Sequence, residues 1–202
     1  MVAPTLVLPT FPAPVELRTP RVSLRQWKDS DMADWITMNA DPEVRQYFPT
    51  VLTAEMAFAE AGRIRAAFSQ RGWGLWAVEV PGVFVFAGFV GLMVPAYEAP
   101  WMPAVEIGWR LRRDAWGKGY ASEGAEAALQ FAFQHLALPE VVAISVPTNT
   151  PSHKVMERLG MVRDTSADFD HPKVPADWPY KRHILHRHTK ATWAMHTAKD
   201  SR

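Results

Sequence analysis

One run of residues limits the possible folds of this chain more than any other: an alternating strand, a glycine turn and a small-residue helix, in that order. Val105, Ile107, Trp109 and Leu111 alternate with Ala104, Glu106, Gly108 and Arg110, the period of a strand with two distinct faces. Glu106 is therefore expected to point away from the apolar face. Trp116-Gly117-Lys118-Gly119 forms a turn, and a helix is expected from about Tyr120 to Leu136. Its stripe at Ala121, Gly124, Ala125, Ala128, Leu129 and Ala132 consists mainly of small residues, which permit close approach of a sheet or a ligand. A helix start carries unpaired N–H groups and the positive end of a dipole, so a glycine-opened helix start suits an anion. The other reading is a helix-entry turn that binds nothing.

Two nucleotide motifs fail here. A P-loop needs Ser or Thr after its Gly-Lys, and Gly119 follows Lys118. The dinucleotide pattern G-x-G-x-x-G is met only twice, since Ser122 occupies its third position, and Pro147 and Thr148 stand where a ribose-binding acid should follow the next strand.

The rest of the chain reads as α/β. A short strand around Val22 to Gln26 precedes a helix through Met32, Trp35, Ile36 and Met38, with Asp29, Ser30 and Asp31 offering N-cap chemistry. Thr53 opens a second helix that stops at Gly72. Trp73 to Val80 and Val83 to Val94 form a hairpin about Pro81-Gly82. Val141 to Val146 is a buried strand, Asn149-Thr150-Pro151 starts a helix that runs to Leu159, and strands near Met161 and from His183 to Thr189 follow. The 202 residues carry 22 Lys plus Arg against 21 Asp plus Glu, so bulk charge favours neither nucleic acid nor an anionic membrane. No cysteine is present, which removes disulfides, thiolate metal sites and a thiol nucleophile and leaves the cytoplasm as the default location. The longest apolar run, Val83 to Val94, is 12 residues against the roughly 20 needed to span a bilayer.

Three blocks carry a resemblance: Val105-Glu106-Ile107-Gly108-Trp109-Arg110-Leu111; Trp116 through Glu123; and Asn149-x-x-Ser152-x-x-Val155-Met156-Glu157-Arg158-Leu159-Gly160-Met161. In this order they resemble the GCN5-related N-acetyltransferases, and among them the branch typified by the acetyltransferases of ribosomal-protein N-termini. The resemblance runs from about Leu17 to Thr189. It implies a mixed, mostly antiparallel sheet, splayed between its fourth and fifth strands, with helices on both faces. It also implies one N-acetyltransferase domain over residues 17–190, between an extended proline-rich arm (1–16) and a C-terminal tail (191–202), acting as a monomer or a homodimer.

The implied chemistry is direct transfer of the acetyl group of acetyl-coenzyme A to a primary amine, at a protein or peptide N-terminus or on a small molecule, with no metal. The alternative is a coenzyme A binding module without catalysis. The resemblance gives the cofactor to Ile107, Trp109 and Leu111 of the strand, to the pyrophosphate loop Trp116, Gly117, Lys118, Gly119, Tyr120, Ala121 and Ser122, and to Asn149 and Ser152. Trp116 stands where the family pattern has Gln or Arg, so backbone amides rather than that side chain should bind the phosphates. Asn149 matches the residue that holds the pantetheine arm, or is only a helix cap.

Direct transfer needs a route for the amine's proton and an acid for the departing thiolate. Glu106 is the candidate base, or else a structural partner of Arg or Lys; a strand N–H near Ile107 or Gly108 would polarise the thioester. Met156 stands where many members carry a tyrosine acid and has no proton to give. Ser152 is the motif's available hydroxyl, either as acid or bonded to the helix backbone. The loop Asp168 to Pro172 borders the acceptor pocket or is a turn; Trp27, Trp35, Trp73, Trp76 and Trp101 lie in segments expected to flank it, and Tyr47 and Phe48 in a region the resemblance makes an acceptor wall, the other reading of these rings being core. His171, His183, His186 and His188 lack the spacing of a zinc site, since only His186 and His188 share a strand face.

Overall fold

The computed structural model describes residues 7–200, so the first residues of the proline-rich arm and the last two of the tail lie outside the described residues. The chain divides into two compact units. The first contains residues 9–92 and 108–128; the second contains 7–8, 93–107 and 129 onward.

The first unit is built on antiparallel ladders. β1 (Leu17–Arg18) pairs with β2 (Ser23–Arg25), β2 with β3 (Leu75–Val80) and β3 with β4 (Phe84–Met93), in registers such as Leu24↔Val78 and Trp76↔Val90. Two helices, α1 (Met32–Ala40) and α2 (Ala54–Arg71), lie between β2 and β3 in sequence. The Thr53 side chain caps α2 by accepting from the Met56 N–H at 3.2 Å, and Gly72 ends it. Aromatic rings fill the core: Trp27 meets Trp35 edge-on at 5.1 Å and Phe86 at 5.2 Å, and Phe68 meets Trp76 edge-on at 5.9 Å. The arm packs here, because Trp73 Nε1 donates to the Pro9 carbonyl at 2.9 Å and Trp76 Nε1 to that of Val15 at 2.7 Å.

Arg25, in β2, is buried. The Asp31 carboxylate makes no cap bond to α1 itself, but it caps the 3-10 turn that leads into it by accepting from the Lys28 N–H at 2.8 Å. It also takes the Arg25 fork at 2.8 and 2.9 Å, while Arg25 Nε donates to Glu79 at 2.6 Å.

In the second unit β6 (Glu140–Ser145) pairs antiparallel with β8 (Arg182–Thr189), and β8 with β7 (Val162–Asp170). Trp101, Ala104, Val142, Ala167, Phe169 and Leu185 form its buried cluster. α4 (Thr150–Arg158) follows β6, and the stretch after β8 is helical, α5 (Lys190–Asp200), with Thr192 N–H donating to Thr189 Oγ1 at 3.1 Å.

β5 (Glu106–Leu111) and α3 (Tyr120–Gln134) each contribute to both units. The eight strands are hydrogen-bonded in the order β1-β2-β3-β4-β5-β6-β8-β7, a mixed sheet in which β5 and β6 are the parallel neighbours. Their ladder is one register pair long, Glu106↔Val142, supported by Val142 N–H to the Val105 carbonyl at 3.0 Å. The class is mixed α/β. No helix among the described residues is long and apolar enough to cross a membrane.

Candidate active site

The glycine turn belongs to the first unit. Gly119 has φ +84°, a left-handed conformation that a side chain disfavours, and a Cβ there would lie 3.1 Å from Arg21 Nη2. The first helical bond runs from the Glu123 N–H to the Gly119 carbonyl, 3.0 Å, so the N–H groups of residues 119–122 precede the helical ladder. Arg21 fixes the turn from outside: it donates to the Lys118 carbonyl at 2.9 Å and pairs with Glu123. Trp116 Nε1 is already used, donating to the Leu111 carbonyl at 2.8 Å. Arg112 pairs with Asp34 and Asp114, and Arg113 with Glu43. Ser122 Oγ is buried and finds no hydrogen-bond partner among the described residues. An orphan hydroxyl beside free amides fits a phosphate oxygen.

The catalytic candidates stand in the second unit. Alternation places Glu106 on a polar face, but β5 is buried on both faces here, and Glu106 is 8% exposed. Its carboxylate accepts from the Tyr97 hydroxyl at 3.4 Å, a long bond for O–H···O. Burial penalises the charged form, and so long a bond offsets only part of that penalty. The carboxyl is pushed up to about 8. The same burial, with the Glu106 charge, raises the Tyr97 hydroxyl above its ordinary range.

Near Tyr97 lie rings from three segments. His171 is 4.5 Å from it, Trp101 6.0 Å, and His183 4.9 Å from His171, all centroid distances. His171 is depressed to about 4 by burial and by His183, so it is a neutral imidazole at physiological pH. Tyr97 and the imidazole pair escape sequence reasoning because they come from irregular loop and distant strand positions; the Trp101 and Asp168–Pro172 segments were the available signals.

In α4, Asn149 Oδ1 caps the helix by accepting from the Ser152 N–H at 3.2 Å. Its Nδ2 remains a donor, so one amide has a free end beyond the cap. Ser152 is half-buried, and its hydroxyl makes no bond to the helix backbone among the described residues. Met156 is fully buried and faces the core. Among the described residues no group of three or more His, Asp or Glu side chains is arranged to hold a metal ion.

Comparison with known proteins supplies the remaining context. Residues 21–162 match the family model described as an acetyltransferase (GNAT) domain. The chain is 28% identical over 151 residues, 74% of this chain and 84% of the relative, to the uncharacterized N-acetyltransferase YnaD of Bacillus subtilis (strain 168). It is 30% identical, over 75% of this chain and 67% of the relative, to the FsC-acetyl coenzyme A-N(2)-transacetylase of Aspergillus fumigatus. Among solved structures it is similar to a GNAT-family acetyltransferase from Bacillus anthracis, with TM-score 0.72, 24% identity and 88% and 99% of the two chains covered. It is similar also to Mycobacterium smegmatis RimJ in complex with CoA-disulfide, with TM-score 0.69, 19% identity and 93% and 94% coverage.

Proposed function

We propose, from the premise that this chain belongs to the GNAT acetyltransferase family and is an acetyl-coenzyme A dependent acyltransferase, that it acetylates a primary amine using Glu106 as general base. The observation that carries the reading is the buried Glu106 beside Tyr97, with its carboxyl near 8. A base is most effective when its pKa lies near the working pH, and an amine acceptor, with a pKa of about 8 to 10, needs one.

The other roles follow residue by residue. The amides of Gly117, Lys118, Gly119, Tyr120, Ala121 and Ser122 bind the pyrophosphate of coenzyme A, with the orphan Ser122 hydroxyl as a further donor. Ile107, Trp109 and Leu111 supply the strand along which the cofactor lies. Asn149 caps α4 with its oxygen and donates its amide N–H to the pantetheine arm. Ser152, whose hydroxyl is not engaged by the helix, protonates the departing thiolate. A thiol with a pKa near roughly 8.5 is a fair leaving group, so the gain from Ser152 is partial.

For the acceptor, the three sequence blocks support the ribosomal N-terminal branch and hence a peptide α-amine. The fungal relative's name, a coenzyme A N(2)-transacetylase, supports a small molecule. Thiol release from acetyl-coenzyme A, measured with peptide N-termini, free amino acids, polyamines and aminoglycosides, tests the reading. One class is expected to give turnover that Glu106→Gln lowers. Transfer to no amine would leave a coenzyme A binding module.

A further inference from the structure

Three arginines of the first unit are about nine-tenths or more buried, and they differ in character. Arg25 uses its donors fully: it makes five hydrogen bonds, to Glu79, Gln26, Asp31 twice and Val85, and two carboxylates balance its charge. Arg110, one-tenth exposed at its side chain, makes two, both through Nη1: one to Asn39 Oδ1 at 2.8 Å and one to Glu60 at 3.4 Å. Its Nε is buried without any acceptor among the described residues. Arg45, 8% exposed, makes one, from Nε to the Thr50 carbonyl at 3.0 Å.

The surroundings of this pair do not supply the missing partners. Arg110 stands over the rings of Trp35, Phe48 and Phe89 at 5.5, 4.4 and 5.3 Å, and Arg45 over Phe48 at 4.2 Å. Aromatic faces attract cations but accept no in-plane hydrogen bond from the fork. Two guanidinium groups share one carboxylate, Glu60: burial and the Arg110 charge lower Arg45 to about 10, and burial lowers Arg110. Asn39 is locked in place, its Nδ2 donating to the Trp35 carbonyl at 2.8 Å, so that its oxygen meets Arg110. An excess buried charge with free planar donors is costly unless an anion arrives.

We propose that Arg110 and Arg45 bind the carboxylate of the acceptor, which makes the acceptor an amino acid or a similar carboxylate-bearing amine. The inference rests on the amine-acetylating reading above. A carboxylate matches the guanidinium fork with two parallel bonds and restores charge balance to the pair. A polyamine or an aminoglycoside would add positive charge beside two arginines.

The test uses reaction products, which bind without turnover and so separate this inference from the role of Glu106. Calorimetry compares N-acetylleucine and N-acetylphenylalanine with the acetamides of isoamylamine and phenethylamine, which lack only the carboxylate. Wild type is expected to bind the acids at least tenfold more tightly. Arg45→Gln should lose most of that preference and Arg110→Lys, which keeps charge but not the fork, part of it, with coenzyme A affinity unchanged in both. Equal binding of acid and amide, or binding of neither, overturns the proposal. A fall in coenzyme A affinity in Arg45→Gln also overturns it, because the pair would then read cofactor phosphates.

Discussion

Glu106→Gln should stabilise the protein at alkaline pH while it slows the reaction. The sign follows from proton linkage. Below about pH 4.5 the carboxyl is protonated in both folded and unfolded chains, and stability is undiminished. Between 4.5 and about 8 the unfolded chain ionises and the folded one holds its proton, so stability falls as pH rises, and above 8 the whole loss is present. At about 1.4 kcal/mol per pH unit the separation of the two values sets a ceiling of roughly 5 kcal/mol, which local relaxation and water entry reduce to about 2–5 kcal/mol. Glutamine occupies the same volume and never ionises. Urea unfolding of both proteins at pH 5, 7 and 9 therefore gives free energies that converge at pH 5 and separate by about 2–5 kcal/mol at pH 9, the variant being the more stable. The same ionisation creates the base, so wild-type kcat/KM should climb with pH through about 8. Parallel unfolding free energies from pH 5 to 9 would refute the reasoning, since the carboxyl would then feel the same environment in both states.

Tyr97→Phe removes the one hydrogen bond that favours the charged carboxyl, and the pH–rate profile should shift upward by about half to one pH unit, the low end for so long a bond; an unmoved profile would separate Tyr97 from Glu106. Gly119→Val forces a β-branched residue to φ +84° against Arg21, costing roughly 1–2 kcal/mol of local strain, and calorimetry should show coenzyme A binding weakened at least tenfold in a folded protein. Asn149→Ala should raise KM for acetyl-coenzyme A and lower stability by about 0.5–2 kcal/mol through the lost cap, measured by steady-state kinetics and thermal unfolding together. Ser152→Ala should reduce kcat by about 10² at most and leave cofactor affinity unchanged, and an effect on affinity alone would identify a binding residue.

Local signals carried most of the architecture. Thr53 and Gly72 bracket α2, Pro81-Gly82 turns β3 into β4, and Asn149-Thr150-Pro151 opens α4, each by chemistry contained in a few consecutive residues. What escaped was pairing across distance. Alternation placed Glu106 away from the apolar face, because period two separates faces without telling how many of them are covered. Arg25 is covered because Glu79, 54 residues away, and Asp31 neutralise it. The Tyr97 hydroxyl reaches Glu106 from a loop with no periodicity. Arg110 read as a polar residue on a strand, and only the folded arrangement of Asn39, Glu60 and three rings shows how few of its donors are met.

β4 contains a position where evolution has little room. A Cβ on Gly88, at φ +125°, would fall 2.1 Å from the Arg110 carbonyl oxygen and 2.8 Å from Leu111 Cα. No rotamer change relieves a clash with main chain, so even alanine must displace β5 at the residue that carries the unsatisfied guanidinium. Drift toward a new acceptor can proceed through the side chains at 45, 48 and 60 one at a time, but position 88 acts as a fixed spacer against the β5 main chain. In a saturation library selected for growth on different amines, substitutions at 45 and 60 would be expected to sort by substrate, whereas those at 88 would disappear under every selection.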